Sequence, residues 1–482
     1  MMIPFDNTYA RLPDRFYART KPTLVKSPRL VKLNRGLAEL LGINVDLLSS
    51  ETGARVFAGN EIPEGADPIA LAYAGHQFGS FVPQLGDGRA ILLGEVVGKD
   101  GKRRDIQLKG SGPTPFSRRG DGRAAIGPVL REYIVSEAMV AMGIPTTRSL
   151  AAVTTGEQVY REEVLPGAVL TRVAASHIRV GTFEFFSARE DRDSLATLTR
   201  YALERHYPGA LDAPNQAIAL LEHVIDAQAS LIAKWLGIGF VHGVMNTDNT
   251  TISGETIDYG PCAFLDEYNP RKKFSSIDHG GRYAFMNQPR IIQWNLARLA
   301  ECLLPLITDD QEEAVRIATE RLNTFPARFE PAFAAVLRAK LGLADERDDD
   351  LPLALELLGK MATHEVDYTL FFRRLCDAAE DPSADERCAA MFGDPGAFRE
   401  WAERWRARGP KASIMRAANP AFIPRNHRIE EAIRAAASRD DFGPFERLVE
   451  VLARPFEEQA GAEDLAEPPA LEQRVRQTFC GT

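Results

Sequence analysis

The chain has little that would tie it to a membrane or to an oxidising compartment. No window of its 482 residues approaches the roughly 18 consecutive apolar residues of a membrane span. Asp6, Arg11 and Asp14 interrupt the N-terminal region where a signal peptide would need an apolar core. The 5 cysteines form no CxxC pair, so neither a paired-cysteine zinc site nor a disulfide framework is indicated. We therefore expect a soluble, cytoplasmic protein with no membrane partner.

Basic residues are not in surplus. The chain has 58 Lys and Arg against 67 Asp and Glu, a net charge of −9. Because phosphate-backbone binding needs positive charge, this balance argues against a nucleic-acid partner. An apolar fraction of 45% is ordinary for a globular protein, and the length suits one large two-lobed domain or two to three ordinary ones.

The pattern of apolar residues divides the chain in two. The runs RAILLGEVV and RRDIQLKG flank a turn at 99–102 and predict a β-hairpin, and SLAAVTT, QVYREEV and AVLTRVA predict further strands. One helix, ending at Gly143, interrupts them, and a short helix is predicted around Leu33 to Leu41. Beyond about residue 190 five segments show helical spacing, 242–290 is irregular, and the tail from 455 is predicted to be loosely packed. We predict an α+β, bilobal fold with a small β-rich lobe and a large helical lobe.

Residues suited to a nucleotide lie in the first lobe. Gly86 and Gly88 precede a strand, where glycines let backbone N–H groups approach a phosphate, although a plain hairpin turn explains them better on its own. Lys109 ends an apolar strand and needs a partner, for which Glu132 on the next helix is the obvious candidate. A strand lysine paired with a helix glutamate is how kinases direct a lysine at phosphates.

Arginines follow in two places. The segment GSGPTPFSRRGDGRA, with Asp121 and Gly122, carries Arg118, Arg119 and Arg123 and is either a solvated loop or an anion-binding one. Two more arginines near the junction of the lobes are either surface residues or a bidentate clamp for a polyphosphate. These two are Arg172 and Arg179.

The segment HGVMNTDN carries the ligand types of a metal-phosphate site. His242 and Asn249 are spaced as the His and Asn of the kinase motif HRDxxxxN, and Asp258-Tyr259-Gly260 resembles DFG. Val244 stands where a kinase has its catalytic Asp and cannot accept a proton, so Asp248 is the nearby carboxylate. The residues indicate a kinase-like nucleotide site with altered chemistry.

Longer blocks of the sequence resemble the selenoprotein O family of protein adenylyltransferases, proteins long classed as pseudokinases. The blocks run from about residue 70 to 433. They are YAGHQFG, QLGDGRA, QLKGSGPTPFSRRGDGRA, REYIVSEAM, LTRVAASHIRVGTFE, HGVMNTDN, DYGPCAFLDEY, NQPRIIQWNLARLA and NPAFIPRNHRIEEAI.

The resemblance implies a protein-kinase-like fold that transfers AMP from ATP to Ser, Thr or Tyr hydroxyls of proteins and releases pyrophosphate. The nucleotide would lie flipped relative to a kinase, so that the α-phosphate meets the acceptor. We predict an N-terminal extension over 1–64, a kinase-like N-lobe over 65–175, a C-lobe over 176–440, and a C-terminal helix and tail over 441–482. Redox-related proteins are among the candidate acceptors.

The resemblance also assigns roles residue by residue. Asp248 would be the general base, Asn249 and Asp258 would ligate Mg²⁺ or Mn²⁺, and Asp258 would also contact the nucleotide. The other nucleotide-binding residues would be Gly86, Gly88, Arg89, Lys109 with its partner Glu132, Asp121, Gly122, Arg172 and Arg179.

The family carries a selenocysteine or cysteine near its C-terminus, and Cys480 fits the cysteine version. A redox bridge from Cys480 to Cys262 is a hypothesis that the resemblance suggests. Three other functions stay open: transfer of UMP from UTP, a true protein kinase, against which Val244 speaks, and a weakly active or non-catalytic nucleotide-binding scaffold.

Overall fold

The computed structural model describes residues 2–479. Strands dominate its first third, where β-branched and other apolar residues alternate with turn residues. The strands are β1 (Tyr17–Arg19), β2 (Arg29–Leu33), β3 (Ile69–Leu71), β4 (Gly75–Gln77), β5 (Ser80–Val82), β6 (Ala90–Val97), β7 (Arg103–Lys109), β8 (Ala124–Ala125), β9 (Arg148–Tyr160), β10 (Val164–Ala174), β11 (Phe240–Val241) and β12 (Ala263–Phe264).

Helices make up most of the remainder. They are α1 (Arg35–Leu40), α2 (Val45–Leu48), α3 (Glu51–Ala58), α4 (Ile126–Ala141), α5 (Val180–Ser187), α6 (Arg192–His206), α7 (Gln216–Gly237), α8 (Gln288–Ile307), α9 (Gln311–Leu322), α10 (Phe325–Lys340), α11 (Asp350–Thr363), α12 (Tyr368–Glu380), α13 (Asp385–Ala389), α14 (Pro395–Ala407), α15 (Ala412–Ala418), α16 (Asn426–Arg439), α17 (Gly443–Leu452) and α18 (Glu463–Ala466).

One antiparallel sheet forms the small lobe, in the order β1-β3-β6-β7-β10-β9-β2, with β8 also paired to β10. Successive strand residues point to opposite faces of the sheet, and side chains on both faces are buried. Val169 packs with Leu37 and Phe57 of the N-terminal helices, whereas its neighbour Leu170 shares a core with Leu130 of α4. The predicted α+β, bilobal, kinase-like architecture is confirmed, with α4 as the helix that covers the sheet on the side of the larger lobe.

Three local expectations can be compared with the structure in detail. The run SLAAVTT and the first three residues of QVYREEV form the single strand β9, which continues through Gly156 with its left-handed φ of 70°. The short helix predicted around Leu33 to Leu41 is α1, which begins at Arg35 because the Asn34 side chain accepts a hydrogen bond from the Leu37 N–H at its N-terminus. The tail after 455 is anchored at single buried residues such as Thr478, which is 1% exposed, whereas most residues of 470–479 are exposed, as a loosely packed segment would be.

Buried charges join the two lobes. Arg205 of α6 lies 2.6 Å from both Glu95 of β6 and Asp105 of β7. Nearby, Glu255 accepts a hydrogen bond from the Ala175 N–H at 2.8 Å, and burial raises the pKa of its carboxyl to about 7. The folded protein therefore favours the protonated form of Glu255.

This raised pKa predicts a pH-dependent stability. Below its unfolded pKa, Glu255 is neutral in both the folded and the unfolded state. The stabilisation of the fold that comes from its raised pKa is lost as pH rises through about 7. Glu255→Gln keeps an acceptor for Ala175 and stays neutral. We expect the free energy of unfolding of the variant, relative to wild type, to increase by roughly 3 kcal/mol between pH 5 and 8. Denaturant titrations at several pH values measure it, and a pH-independent difference would contradict the assignment.

Candidate active site

A cavity of about 470 Å³ lies between the sheet and the helical lobe, a volume typical of small-molecule sites. Its walls come from 73–123 of the sheet region, from 161–179, and from 244–277 of the irregular segment. Of the residues to which the family resemblance assigns a role in catalysis or in nucleotide or metal binding, Glu132 lies behind the wall, bonded to Lys109. The others all line the cavity: Gly86, Gly88, Arg89, Lys109, Asp121, Gly122, Arg172, Arg179, Asp248, Asn249 and Asp258.

Three cationic side chains converge on Asp258. Lys109 ends β7 and Arg172 lies on the paired strand β10, so the sheet holds both on one wall. Lys109 Nζ and Arg172 Nη2 lie 3.0 Å and 2.6 Å from Asp258 Oδ1, and Arg179 Nη1, at the start of α5, lies 2.7 Å from Oδ2. Glu132 of α4 accepts from Lys109 Nζ and Arg172 Nε, each at 2.7 Å.

The charges decide the protonation of the two carboxylates. Burial alone would raise the pKa of Asp258, but the positive charges of Arg172, Lys109 and Arg179 outweigh it and hold that pKa well below its usual value. The same balance, with Arg172 and Lys109, lowers the pKa of Glu132. Both groups are therefore ionised near neutral pH, so three cations face two anions in a site that suits a polyphosphate.

Gly86 of QLGDGRA and Gly122 of the arginine-rich segment both allow neighbouring parts of the cavity wall to pack closely. Gly86 has a φ of 71°, and a Cβ at this position would lie 2.3 Å from the ring of Phe116. Gly122 has a φ of 66°, and its Cβ would lie 2.1 Å from the backbone of Gly112. The loop around Phe116 is thus pressed against the glycine turn, which the sequence did not reveal.

A substitution at Gly86 should therefore disturb the cavity wall. In Gly86→Ala both the left-handed backbone and the contact with Phe116 become unfavourable, so we expect a loss of stability beyond the ~1–2 kcal/mol of the backbone alone, together with weaker nucleotide binding. Gly101→Ala is the matched control, because Gly101 has a φ of 73° and open space around it. Denaturation and nucleotide titration compare the two; equal losses would show that the Phe116 contact is unimportant.

The arginine-rich loop is only partly anchored at the cavity. Arg161 binds Asp121 with two hydrogen bonds, at 2.8 Å and 3.0 Å, and lines the cavity beside it. Arg118 lies at the cavity and Arg119 does not, although both are exposed and have left-handed φ angles. Arg123 also lines the cavity. Arg161 could not be predicted from local sequence patterns, because it lies 40 residues from its partner Asp121 in the chain.

Asp248 and Asn249 lie in a short 3-10 turn, Thr247–Asn249. Asp248 is 7% exposed, and burial raises its pKa to about 6, although the charge of Arg179 opposes the shift. Its Oδ2 accepts a hydrogen bond from Gln77 at 3.2 Å, whereas Oδ1 is buried without a hydrogen-bond partner in the described part of the chain. A buried carboxylate that lines a cavity and has a raised pKa suits proton abstraction.

The donor set also fits a hard metal ion. The Asn249 amide donates to the Val244 carbonyl at 3.0 Å, which fixes the amide and turns its oxygen away from that carbonyl. Asn249 and Asp258 line the same cavity and offer an amide and a carboxylate oxygen, ligands typical of Mg²⁺. Asp258 adopts a left-handed φ of 62°, a conformation that Asp tolerates better than most residues.

The kinase-like motif also contains residues with structural roles. His242 is buried, and its Nε2 lies 2.8 Å from the Ile257 carbonyl oxygen, so it supports the segment that carries Asp258. Val244 lines the cavity and places no proton acceptor there.

Two acidic or polar residues of the site were missed. Asp87, between the two glycines, is 2% exposed, and its Oδ1 lies 3.9 Å from Arg179. The sequence feature that could have identified Asp87 is a charged residue between two glycines just before a strand. Gln77 in the motif GHQFG gave no signal, because its partner Asp248 is 171 residues away.

Of the proposed redox pair, Cys262 is buried, and burial raises the pKa of its thiol to about 12. Cys480 lies outside the described residues, so the bridge stays a hypothesis. Thr478, two residues earlier, donates to the carbonyl of Pro261 at 2.6 Å. Among residues 2–479, no helix is long and apolar enough to cross a membrane.

The fold is kinase-like, and its cavity contains the carboxylate of Asp248 while Val244 offers no proton acceptor. Residues 1–453 match the profile of the family described as protein adenylyltransferase SelO, and the chain belongs to this family. A protein from Bradyrhizobium diazoefficiens named protein nucleotidyltransferase YdiU is 61% identical over 487 residues, covering 99% of each chain. Proteins of the same name from Rhodopseudomonas palustris and Methylorubrum extorquens are also 61% identical, over 99% or more of both chains. The chain is therefore a nucleotidyltransferase that modifies proteins.

Proposed function

We propose that the protein transfers AMP from ATP to Ser, Thr or Tyr hydroxyls of acceptor proteins and releases pyrophosphate. The observation that carries the proposal is the convergence of Lys109, Arg172 and Arg179 on Asp258, with Asp248 rather than residue 244 as the available base. This arrangement supports a triphosphate whose tail is held deep in the cavity and whose α-phosphate faces Asp248.

The cationic residues stabilise the leaving group of the reaction. When pyrophosphate departs, negative charge grows on the oxygen that bridged the α- and β-phosphates, and fixed cations stabilise it. In the absence of nucleotide Asp258 and Glu132 neutralise these cations, so a bound triphosphate replaces part of an existing set of ion pairs. A Mg²⁺ or Mn²⁺ ion held by Asn249 and Asp258 would add Lewis-acid polarisation of the phosphates.

Asp248 supplies the acceptor side. It takes the proton of the attacking hydroxyl, whose oxygen forms the new bond to the α-phosphorus. The bond from that phosphorus to the bridging oxygen breaks, and pyrophosphate leaves with its electron pair. The products are an adenylylated side chain and pyrophosphate, and Asp248 then releases its proton to solvent.

A label-transfer assay tests the proposal. With Mg²⁺ and an acceptor protein, label from the α-phosphate of ATP should appear on protein, and label from the γ-phosphate should not. Parallel reactions with UTP decide between AMP and UMP transfer. Stronger labelling from UTP than from ATP would identify UTP as the substrate. Labelling from the γ-phosphate alone would mean that the reaction is that of a kinase.

A further inference from the structure

We propose that the hairpin β4–β5 is an orienting device for the catalytic base, with Gln77 as the residue that aims Asp248 at the acceptor. This inference rests on the proposed role of Asp248. The hairpin spans residues 75–82, belongs to the small lobe by sequence, and forms its own two-stranded sheet apart from the main one.

The hairpin is anchored directly on the catalytic turn. The His76 N–H donates to Thr247 Oγ1 at 2.6 Å, and the Phe78 N–H donates to Asn246 Oδ1 at 3.0 Å. Buried Glu184 of α5 completes the anchor, because its two carboxylate oxygens contact the His76 ring and the Thr247 hydroxyl. The two residues before Asp248 in the chain are thus tied to the hairpin backbone.

Asp248 itself is restrained on three sides. Arg179 Nη1 donates to its backbone carbonyl at 2.6 Å and fixes the main chain. Gly75 forms a wall, since a Cβ there would lie 2.6 Å from Asp248 Oδ1 and 2.9 Å from its Cβ. Gln77 Nε2 then donates to Oδ2.

These restraints give the two carboxylate oxygens different surroundings. Oδ2 is occupied by Gln77, and Oδ1 has no hydrogen bond within the described residues. Free rotation of the carboxylate would exchange the two oxygens. The Gln77 amide prevents this exchange and, with Oδ1 buried against Gly75, holds the carboxylate in one orientation at the cavity. Gln77 is a positioning residue, because it acts through Asp248.

The first test replaces Gln77 without changing its bulk. Gln77→Met removes the N–H donor, and we expect kcat for transfer to protein to fall roughly 10-fold or more while KM for ATP stays the same. Gln77→Glu keeps the shape but places a second carboxylate against Asp248, so kcat should fall at least as far. Ser80→Ala, at the exposed position paired with Gln77 in the hairpin, is the matched control and should behave as wild type.

A steric variant tests the wall independently. Gly75→Ala should displace the Asp248 carboxylate and lower kcat, again with KM for ATP unchanged, while thermal unfolding shows whether the fold is intact. If Gln77→Met raised KM for ATP and left kcat unchanged, Gln77 would contact the nucleotide instead, and the inference would be wrong.

A double-mutant comparison separates this inference from the proposed function. In the Asp248→Asn background, Gln77→Met should cause no further fall in the residual rate, because its effect passes through the carboxylate. Wild-type activity of Asp248→Asn would remove the base assignment itself. Loss of activity in Asp248→Asn together with full activity of Gln77→Met would overturn only the orienting role.

Discussion

Asp258→Asn is expected to reduce nucleotidyl transfer by about 10³-fold or more and to abolish the dependence of ATP binding on Mg²⁺. The carboxylate pairs with Lys109, Arg172 and Arg179 and is the charged member of the proposed metal ligands. Its replacement by a neutral amide removes the anionic metal ligand but leaves three cations that still attract a triphosphate. ATP affinity should therefore become similar with and without metal, which titration calorimetry measures.

The amide is preferable to Ala at this position. Removing one partner from a buried ion-pair network typically costs about 3–5 kcal/mol, and Ala would also lose the hydrogen bonds that an amide oxygen retains. Asp440→Asn is the matched control, because Asp440 has a similar left-handed φ of 53° and lies on the surface after α16. Undiminished Mg²⁺-dependent binding by Asp258→Asn, with an unaltered control, would refute the metal-ligand assignment.

Asp248→Asn should separate binding from chemistry. Loss of a general base typically lowers a rate by about 10²–10⁴-fold, so kcat should fall by this amount. Among the described residues its carboxylate makes no ion pair with the cations proposed to hold the phosphates, and Arg179 donates to its backbone carbonyl, so ATP affinity and its Mg²⁺ dependence should persist. Single-turnover transfer of α-labelled phosphate and ATP titration measure the two properties on the same preparation.

Two other results for Asp248→Asn would each change the assignment of Asp248 as the base. Weak ATP binding with little change in the single-turnover rate of saturated enzyme would place Asp248 in the nucleotide site. A wild-type rate would move the base elsewhere in the cavity, and Asp87, whose Oδ1 is also buried without a hydrogen-bond partner among the described residues, would be the next carboxylate to replace.

Local patterns predicted much of the secondary structure. The hairpin β6–β7 has its turn where Lys99 to Lys102 indicated, and α4 ends two residues before Gly143. Both depend on interactions between neighbours in the chain, such as turn geometry and helix termination at glycine. The roles of the predicted site residues stay predictions, although the cavity brings them together.

Contacts between distant segments were beyond the local patterns. The single strand β9 continues through Gly156 because β10 pairs with it on both sides of that residue, and Thr478 anchors the end of the described tail by its hydrogen bond to Pro261. Tertiary contacts override local propensity in such places.

The sequence by itself determined the residue types of the site: a strand lysine, a helix glutamate, two arginines, and the Asp–Asn and Asp–Tyr–Gly segments with Val244 in place of an acid. These are properties of composition and spacing, and they sufficed to indicate a nucleotide enzyme. Only the tertiary structure decided which charges meet, that Asp258 pairs with three cations, and that Gln77 occupies one oxygen of Asp248. The physical reason is that charge and hydrogen-bond interactions depend on distances of a few ångströms, and folding sets these between residues such as Gln77 and Asp248, which are 171 positions apart in the chain.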